Sequence, residues 1–129
     1  MKFSQMPYKR VTYQEIEAKA KALTAKLSNA KSTKEALDTF YEYNEYSDKI
    51  TTAGSLSYIK FTLNTEDEFF AGEKEYYDEI MPMVQNLDLQ FKLALYNSPF
   101  KEQLKKKLGE LLFLNIEIYM KSFDPKIIP

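Results

Sequence analysis

Histidine and cysteine are both absent from this chain of 129 residues. Their absence removes the usual general base near neutral pH, the usual thiol nucleophile and the two side chains that hold most zinc. A serine mechanism that hands its proton to an imidazole is excluded as well. The chain is therefore not expected to do chemistry by itself, and no catalytic, metal-binding or cofactor-binding residue is assigned to it. Lack of cysteine also rules out a disulfide framework, the plain reading of which is a cytoplasmic protein.

Glycine and proline are scarce, three and five residues respectively. Few sharp turns in this length imply long elements, and long elements imply helices. Long apolar runs are missing too. The greasiest segment, Leu108 to Met120, is interrupted by Glu110, Asn115 and Glu117. Nothing approaches the roughly 18 apolar residues of a membrane span, and Met1–Pro7 contains no apolar run of signal-peptide length. Charge of one sign is also lacking. Eighteen basic residues against nineteen acidic ones leave a net charge of -1, which gives no pull toward nucleic acid or an anionic membrane.

What is present is the composition of a folded domain, 44% hydrophobic with 29% charged residues. After an irregular lead-in over residues 1–11, Thr12 and Glu15 have the spacing of a capping box. Ile16, Ala20, Leu23 and Leu27 then form one apolar stripe, closed by Ser28 and Asn29. Ser32 and Glu35 repeat the spacing ahead of a broad face of Leu37, Phe40, Tyr41, Tyr43, Asn44 and Ile50. The patch Thr51–Ser55 predicts a bend or short break, because β-branched residues and Gly54 weaken a helix there. Its small residues would also admit a close neighbour. Leu56, Ile59 and Leu63 resume the period beyond it.

Thr65 and Glu68 have the box spacing once more and predict a helix from about 66 to 96, kinked where Pro82 denies the carbonyl four residues back its partner. Ser98 and Pro99 read as N-cap and first helical residue. Lys105, Lys106 and Lys107 before Gly109 read as a last turn and its C-cap, and a further helix runs to about Lys121. Asp124–Pro125 announces another helix that Ile127, Ile128 and Pro129 leave unbuilt, as in a piece of something longer. No alternating strand pattern and no fixed-period repeat occurs. The fold class is all-α: one domain over 1–129, an antiparallel bundle or array of about five to six helices, one long helix being kinked at Pro82.

Three constellations invite a chemical reading. The stretch Glu66 to Glu79 gathers Glu66, Asp67, Glu68, Glu73, Glu75, Asp78 and Glu79. Paired carboxylates can hydrolyse glycosides or begin a di-metal site, but the di-iron bundles need Glu-x-x-His and one helix defines no sugar cleft. A solvated face is the better reading. The ten tyrosines and nine phenylalanines, clustered at Tyr41/Tyr43/Tyr46, Phe69/Phe70 and Tyr76/Tyr77, are interleaved with acids that would repel phosphates. They are read as core and helix–helix packing, with some tyrosines on an interface or lining a peptide groove. The 108–120 helix carries more apolar residues than one buried stripe requires. Either it is central to the domain or it packs on a partner.

The stretch Leu63–Pro82 reads LNTEDEFFAGEKEYYDEIMP. With Thr65, Asp67, Phe69, Glu73, Asp78–Glu79–Ile80 and Pro82 in order, it resembles the oligoendopeptidase F group of the M3 zinc peptidases. The opening Met1-Lys2-Phe3-Ser4 with Met6-Pro7-Tyr8 is similar to the start of those enzymes. Asn97-Ser98-Pro99-Phe100 and Lys121-Ser122-Phe123-Asp124-Pro125 follow in the family's order. Asn64 departs from the aspartate expected of relatives.

The resemblance implies an N-terminal helical region that, with a catalytic domain, encloses a channel for short peptides. It implies zinc on an HExxH helix of that missing domain, none of it here, with the catalytic domain and short peptides as partners. Nucleic acid and membrane are not expected partners, and exposed apolar surface leaves a homo-oligomer open. A free-standing helical interaction or dimerisation module is the rival reading, and a carboxylate-only hydrolase a distant third.

Overall fold

In a computed structural model, residues 8–121 are described and fold into five helices: α1 (Tyr13–Ser28), α2 (Thr33–Leu63), α3 (Glu68–Tyr96), α4 (Lys101–Leu108) and α5 (Glu110–Lys121). No strand occurs among them. Helices α1, α2 and α3 pack against one another. The short links between them, residues 29–32 and 64–67, make consecutive neighbours antiparallel. Helix α4 reaches back to α2, and α5 lies on α3 and α4. The architecture is the all-α array that the helical periods predict. The Asp124–Pro125 signal falls outside the described residues, as does the start through Pro7.

The first two starts follow the local chemistry. Thr12 Oγ1 accepts from the Glu15 amide at 3.3 Å, and Ser32 Oγ accepts from the Glu35 amide at 3.1 Å. The Glu35 carboxylate turns back one residue further than the box requires and accepts from Lys31 N at 2.8 Å. Ile16, Ala20, Leu23 and Leu27 are buried as one stripe. In α2 the buried face is rotated by about one residue from the expected one. Ala36, Thr39 and Tyr43 are enclosed, Leu37 and Phe40 only border the core, and Tyr41 is exposed.

Helix α2 does not break at Thr51–Ser55; it runs unbroken from Thr33 to Leu63. Packing overrides the local weakness there, with Ile50, Ala53, Leu56 and Ser57 all buried. The hydroxyls return to the helix's own carbonyls, Thr51 Oγ1 to Ser47 O at 3.1 Å and Ser57 Oγ to Gly54 O at 2.7 Å. These bonds keep the polar groups satisfied inside the helix. Tyr77 of α3 seats beside the small residues; a methyl built on Gly54 would meet its ring at 3.9 Å, ordinary contact.

The start of α3 corrects another expectation. Thr65 is not the cap. Asp67 is, its Oδ1 accepting from Phe69 N at 2.9 Å and Phe70 N at 3.3 Å, and the helix begins at Glu68. A carboxylate at the positive end of the helix dipole gives charge-assisted bonds that a threonine hydroxyl does not match. Asp67→Ala should therefore cost about 1 kcal/mol of stability in urea unfolding, and Thr65→Ala within about 0.5 kcal/mol of nothing. Pro82 lies inside α3, which continues on both sides of it. It is exposed, so water can reach the carbonyl that its ring leaves unpaired.

Ser98–Pro99 makes a turn rather than a helix start. Ser98 Oγ accepts from Phe100 N at 3.1 Å, its carbonyl accepts from Lys101 N at 3.1 Å, and α4 begins only at Lys101. Gly109 does end α4, at φ 96, with its N–H on Lys105 O at 2.8 Å. That left-handed backbone is where glycine is favoured. Beyond it, α5 turns back so that Phe113 and Ile116 join Leu104 of α4 and Phe91 and Leu95 of α3 in one core.

Candidate functional site

The most organised polar cluster joins the N-terminal segment to α3, and sequence reasoning missed it. Glu73 falls on the inward stripe of α3 with Tyr77 and Ile80 and is buried, 3% exposed. The acidic stretch is thus not wholly a solvated face. Glu75 and Glu79 are exposed, Asp78 binds Lys74 at 2.9 Å, but Glu73 points into the protein. The available signal was its phase: an acid four residues before Tyr77 and seven before Ile80 sits on an apolar stripe.

Burial of a carboxylate requires partners, and the segment ahead of α1 brings them. Arg10 Nε lies 2.9 and 3.0 Å from the two carboxylate oxygens, and its Nη2 also donates to Oε2. Tyr8 donates to Oε1 at 2.8 Å. Tyr8 and Tyr77 hydroxyls are 3.1 Å apart. Since the single proton of Tyr8 goes to the carboxylate, Tyr77 supplies the proton between them. Tyr77 in turn accepts from Val11 N at 3.0 Å, and Tyr76 accepts from Tyr13 N at 2.7 Å. The Arg10 guanidinium lies over the Tyr76 ring at 4.0 Å. Tyr8 also meets Phe69, Phe70 and Tyr77 edge-on.

The electrostatics follow from these contacts. Arg10 hydrogen bonds hold the Glu73 carboxyl below its usual range, with burial opposing and Tyr8 assisting. Burial pushes the Tyr8 phenol up, reinforced by Tyr77 and Glu73. Both shifts hold Glu73 charged and Tyr8 protonated near neutrality. This cluster fastens a strap; it contains no group poised to give or take a proton at pH 7.

Among the shallow grooves that flank α3, two share part of their lining. One, of about 330 Å³, lies between α2 and α3 and is lined in part by Tyr46, Ser47, Met81, Gln85 and Asp88. The other, of about 400 Å³, lies between α3 and α5 and shares Gln85, Asp88 and Lys92 with the first. Asp88 is already engaged by Lys92 at 2.8 Å and by the Tyr43 hydroxyl at 3.2 Å. Neither lining pairs a nucleophile with a base. No group of three His, Cys, Asp or Glu residues among the described residues could hold a metal ion. The chemistry available to these grooves is contact: apolar and aromatic surface with scattered hydrogen-bonding groups.

The aromatic clusters divide as packing requires. Tyr43 and Tyr77 are buried; Tyr43 stacks on Phe91 with centroids 3.8 Å apart and planes 7° apart. Tyr41, Tyr58 and Phe69 are exposed. Between α1 and α2, Glu42 accepts from Lys19 at 3.0 Å and Lys26 at 3.1 Å, which holds its carboxyl below the usual range.

The described residues form an antiparallel helical array to which the segment ahead of α1 is strapped. The chain belongs to the M3 peptidase N-terminal domain family, which matches residues 3–123. No curated protein matches the chain. Among solved structures, one assigned as an oligoendopeptidase F is 30% identical over 99% of this chain, with a TM-score of 0.88. PZ peptidase A, solved with an inhibitor, is 31% identical over 98% of the chain, TM-score 0.87. A protein from Bacillus anthracis str. Ames assigned to the same oligoendopeptidase group is 32% identical over 98%, TM-score 0.87. In each case the chain spans 23% of the length of the structure it matches.

Proposed function

We propose that this chain is the non-catalytic N-terminal part of an oligoendopeptidase F-like zinc peptidase acting on short peptides in the cytoplasm. Its place there is to form one wall of the peptide channel and so limit substrate size. The observation that carries the reading is the match of nearly the whole chain to about a quarter of each related structure. Steric exclusion is the mechanism. Helices fastened edge to edge admit an extended chain between themselves and a facing domain but not a folded one. The hydrogen-bonding groups along α3, such as Gln85 and Asp88, are suited to contact rather than reaction.

Zinc does not fit on this chain. It has no histidine, and its described carboxylates gather into no ligand set. In this reading the metal and the general base belong to the remaining three quarters, whose HExxH helix would supply both. Two measurements test it. The chain incubated with short fluorogenic peptides and added zinc should show no turnover above buffer. Turnover that survives repurification and disappears on substitution of residues in this chain would refute the inert role. Sequencing of the genomic DNA downstream should reveal an in-frame HExxH segment, and a stop codon with none would refute assignment to a larger peptidase.

A further inference from the structure

Helix α5 is apolar on two opposed sides. Its inward side carries Phe113 and Ile116, buried in the core, with Leu112 and Met120 packed beside them. At 100° per residue, Leu111, Leu114 and Ile118 fall on the opposite side, with spacings of three and four. These three are 68%, 50% and 54% exposed. A second apolar side on a helix that already packs on α3 and α4 calls for a further neighbour.

Leu111 and Leu114 also line a shallow depression of about 470 Å³ where α4 meets α5. Its rim is charged, bordered by Lys105, Glu110 and Glu117. Glu117 lies 3.0 Å from Lys121, and Lys105 3.8 Å from Glu102. A partner here meets an apolar centre inside a rim of mixed charge, with Glu110 outside both pairs. It needs apolar surface of its own.

Resting on the reading above, we infer that the Leu111/Leu114/Ile118 side of α5 is the seam on which the remaining body of the peptidase docks, through an apolar surface. A second copy of this chain fits the patch less well. The patch consists of three side chains on one helix, whereas a specific interface between two copies needs roughly 1,000 Å². A body joined to the domain in one chain has no such requirement, because linkage holds it at an effective concentration of about 1 mM or more.

The absence of cysteine makes the test direct. Leu114→Cys and, as a rival exposed site on α2, Tyr41→Cys are prepared in the full chain, and their thiol-labelling rates are measured. PZ peptidase A lacking the quarter that matches this chain is then added, and the same thiols are read again in a fusion of the chain to that body. Labelling at 114 should slow about tenfold or more in the mixture or the fusion, as at a packed interface core, with little change at 41. Slowing at 41 alone would overturn the seam and leave the peptidase reading standing. Slowing at neither site, in a fusion that hydrolyses peptide, would do the same. No slowing and no hydrolysis by the fusion, beside an intact PZ peptidase A that does hydrolyse, would overturn both. Concentration-dependent protection of 114 in the chain alone would assign the face to a second copy and overturn the seam.

Discussion

Replacing Phe91 by alanine is expected to lower the unfolding free energy by about 4 kcal/mol. Phe91 is 1% exposed and lies where α1, α2, α3 and α5 contribute to one core. Two losses combine. The ring leaves a cavity that helix-bound neighbours close only in part, and its stacking on Tyr43, at 3.8 Å between centroids, disappears. Tyr43 would then present a bare face to the cavity while its hydroxyl stays tied to Asp88 at 3.2 Å, so it cannot swing inward freely. Because a domain of this size is stable by about 5–15 kcal/mol, the variant should unfold at a much lower urea midpoint with a similar slope. Phe91→Leu, which keeps most of the volume, should cost about 1–2 kcal/mol. Equal losses for the two variants would mean that the cavity is not the cause.

Much of the fold was legible because it is written in local chemistry. Thr12 and Ser32 are caps whose partners lie three residues on, and the α1 stripe needs only a period of 3.6. Gly109 was legible because a glycine just after a lysine-rich turn tolerates the left-handed backbone with which many helices end. The errors lie where distant residues decide. The weak Thr51–Ser55 patch is carried through by the burial of Ala53 and of the flanking Ile50, Leu56 and Ser57, and no local propensity contains that information. At the start of α3 the box spacing pointed to Thr65, and the Asp67 carboxylate two residues on took the amides instead. At Ser98 the same hydroxyl that can cap a helix closed a turn two residues early.

The polar cluster was harder still. Glu73 was legible as an acid on an apolar stripe, but its partners are 63 and 65 residues away in a segment with no helical pattern. The two-sided character of α5, by contrast, was visible in composition alone. Only the packing reveals which side is spoken for.

Arg10→Ala should be the most damaging change outside the apolar core, at about 2 kcal/mol. Removal of one partner from a fully buried pair costs about 3–5 kcal/mol, but the Arg10 side chain is 41% exposed and part of the pair's attraction is already screened. The loss falls mainly on Glu73, whose carboxylate would stay enclosed with only the Tyr8 hydroxyl to meet it. The sharper expectation concerns the double variant. Arg10→Ala combined with Glu73→Leu removes the stranded charge and adds apolar packing beside Tyr77 and Ile80, so it should be more stable than Arg10→Ala alone. A double variant worse than the sum of its parts would mean that the pair stabilises the fold outright.

Acid provides an independent check of the same cluster. The folded Glu73 carboxyl titrates below its ordinary value of 4.5, with Arg10 the main cause. The stability this supplies is fully present above the unfolded-state value and is lost as the pH falls through the lower folded one. Wild type should therefore lose stability more steeply than Glu73→Gln as the pH falls from about 5, with the two curves converging once the folded carboxyl is protonated. Parallel curves across that window would place the acid sensitivity elsewhere, with the Glu42 carboxylate between Lys19 and Lys26 the next group to test.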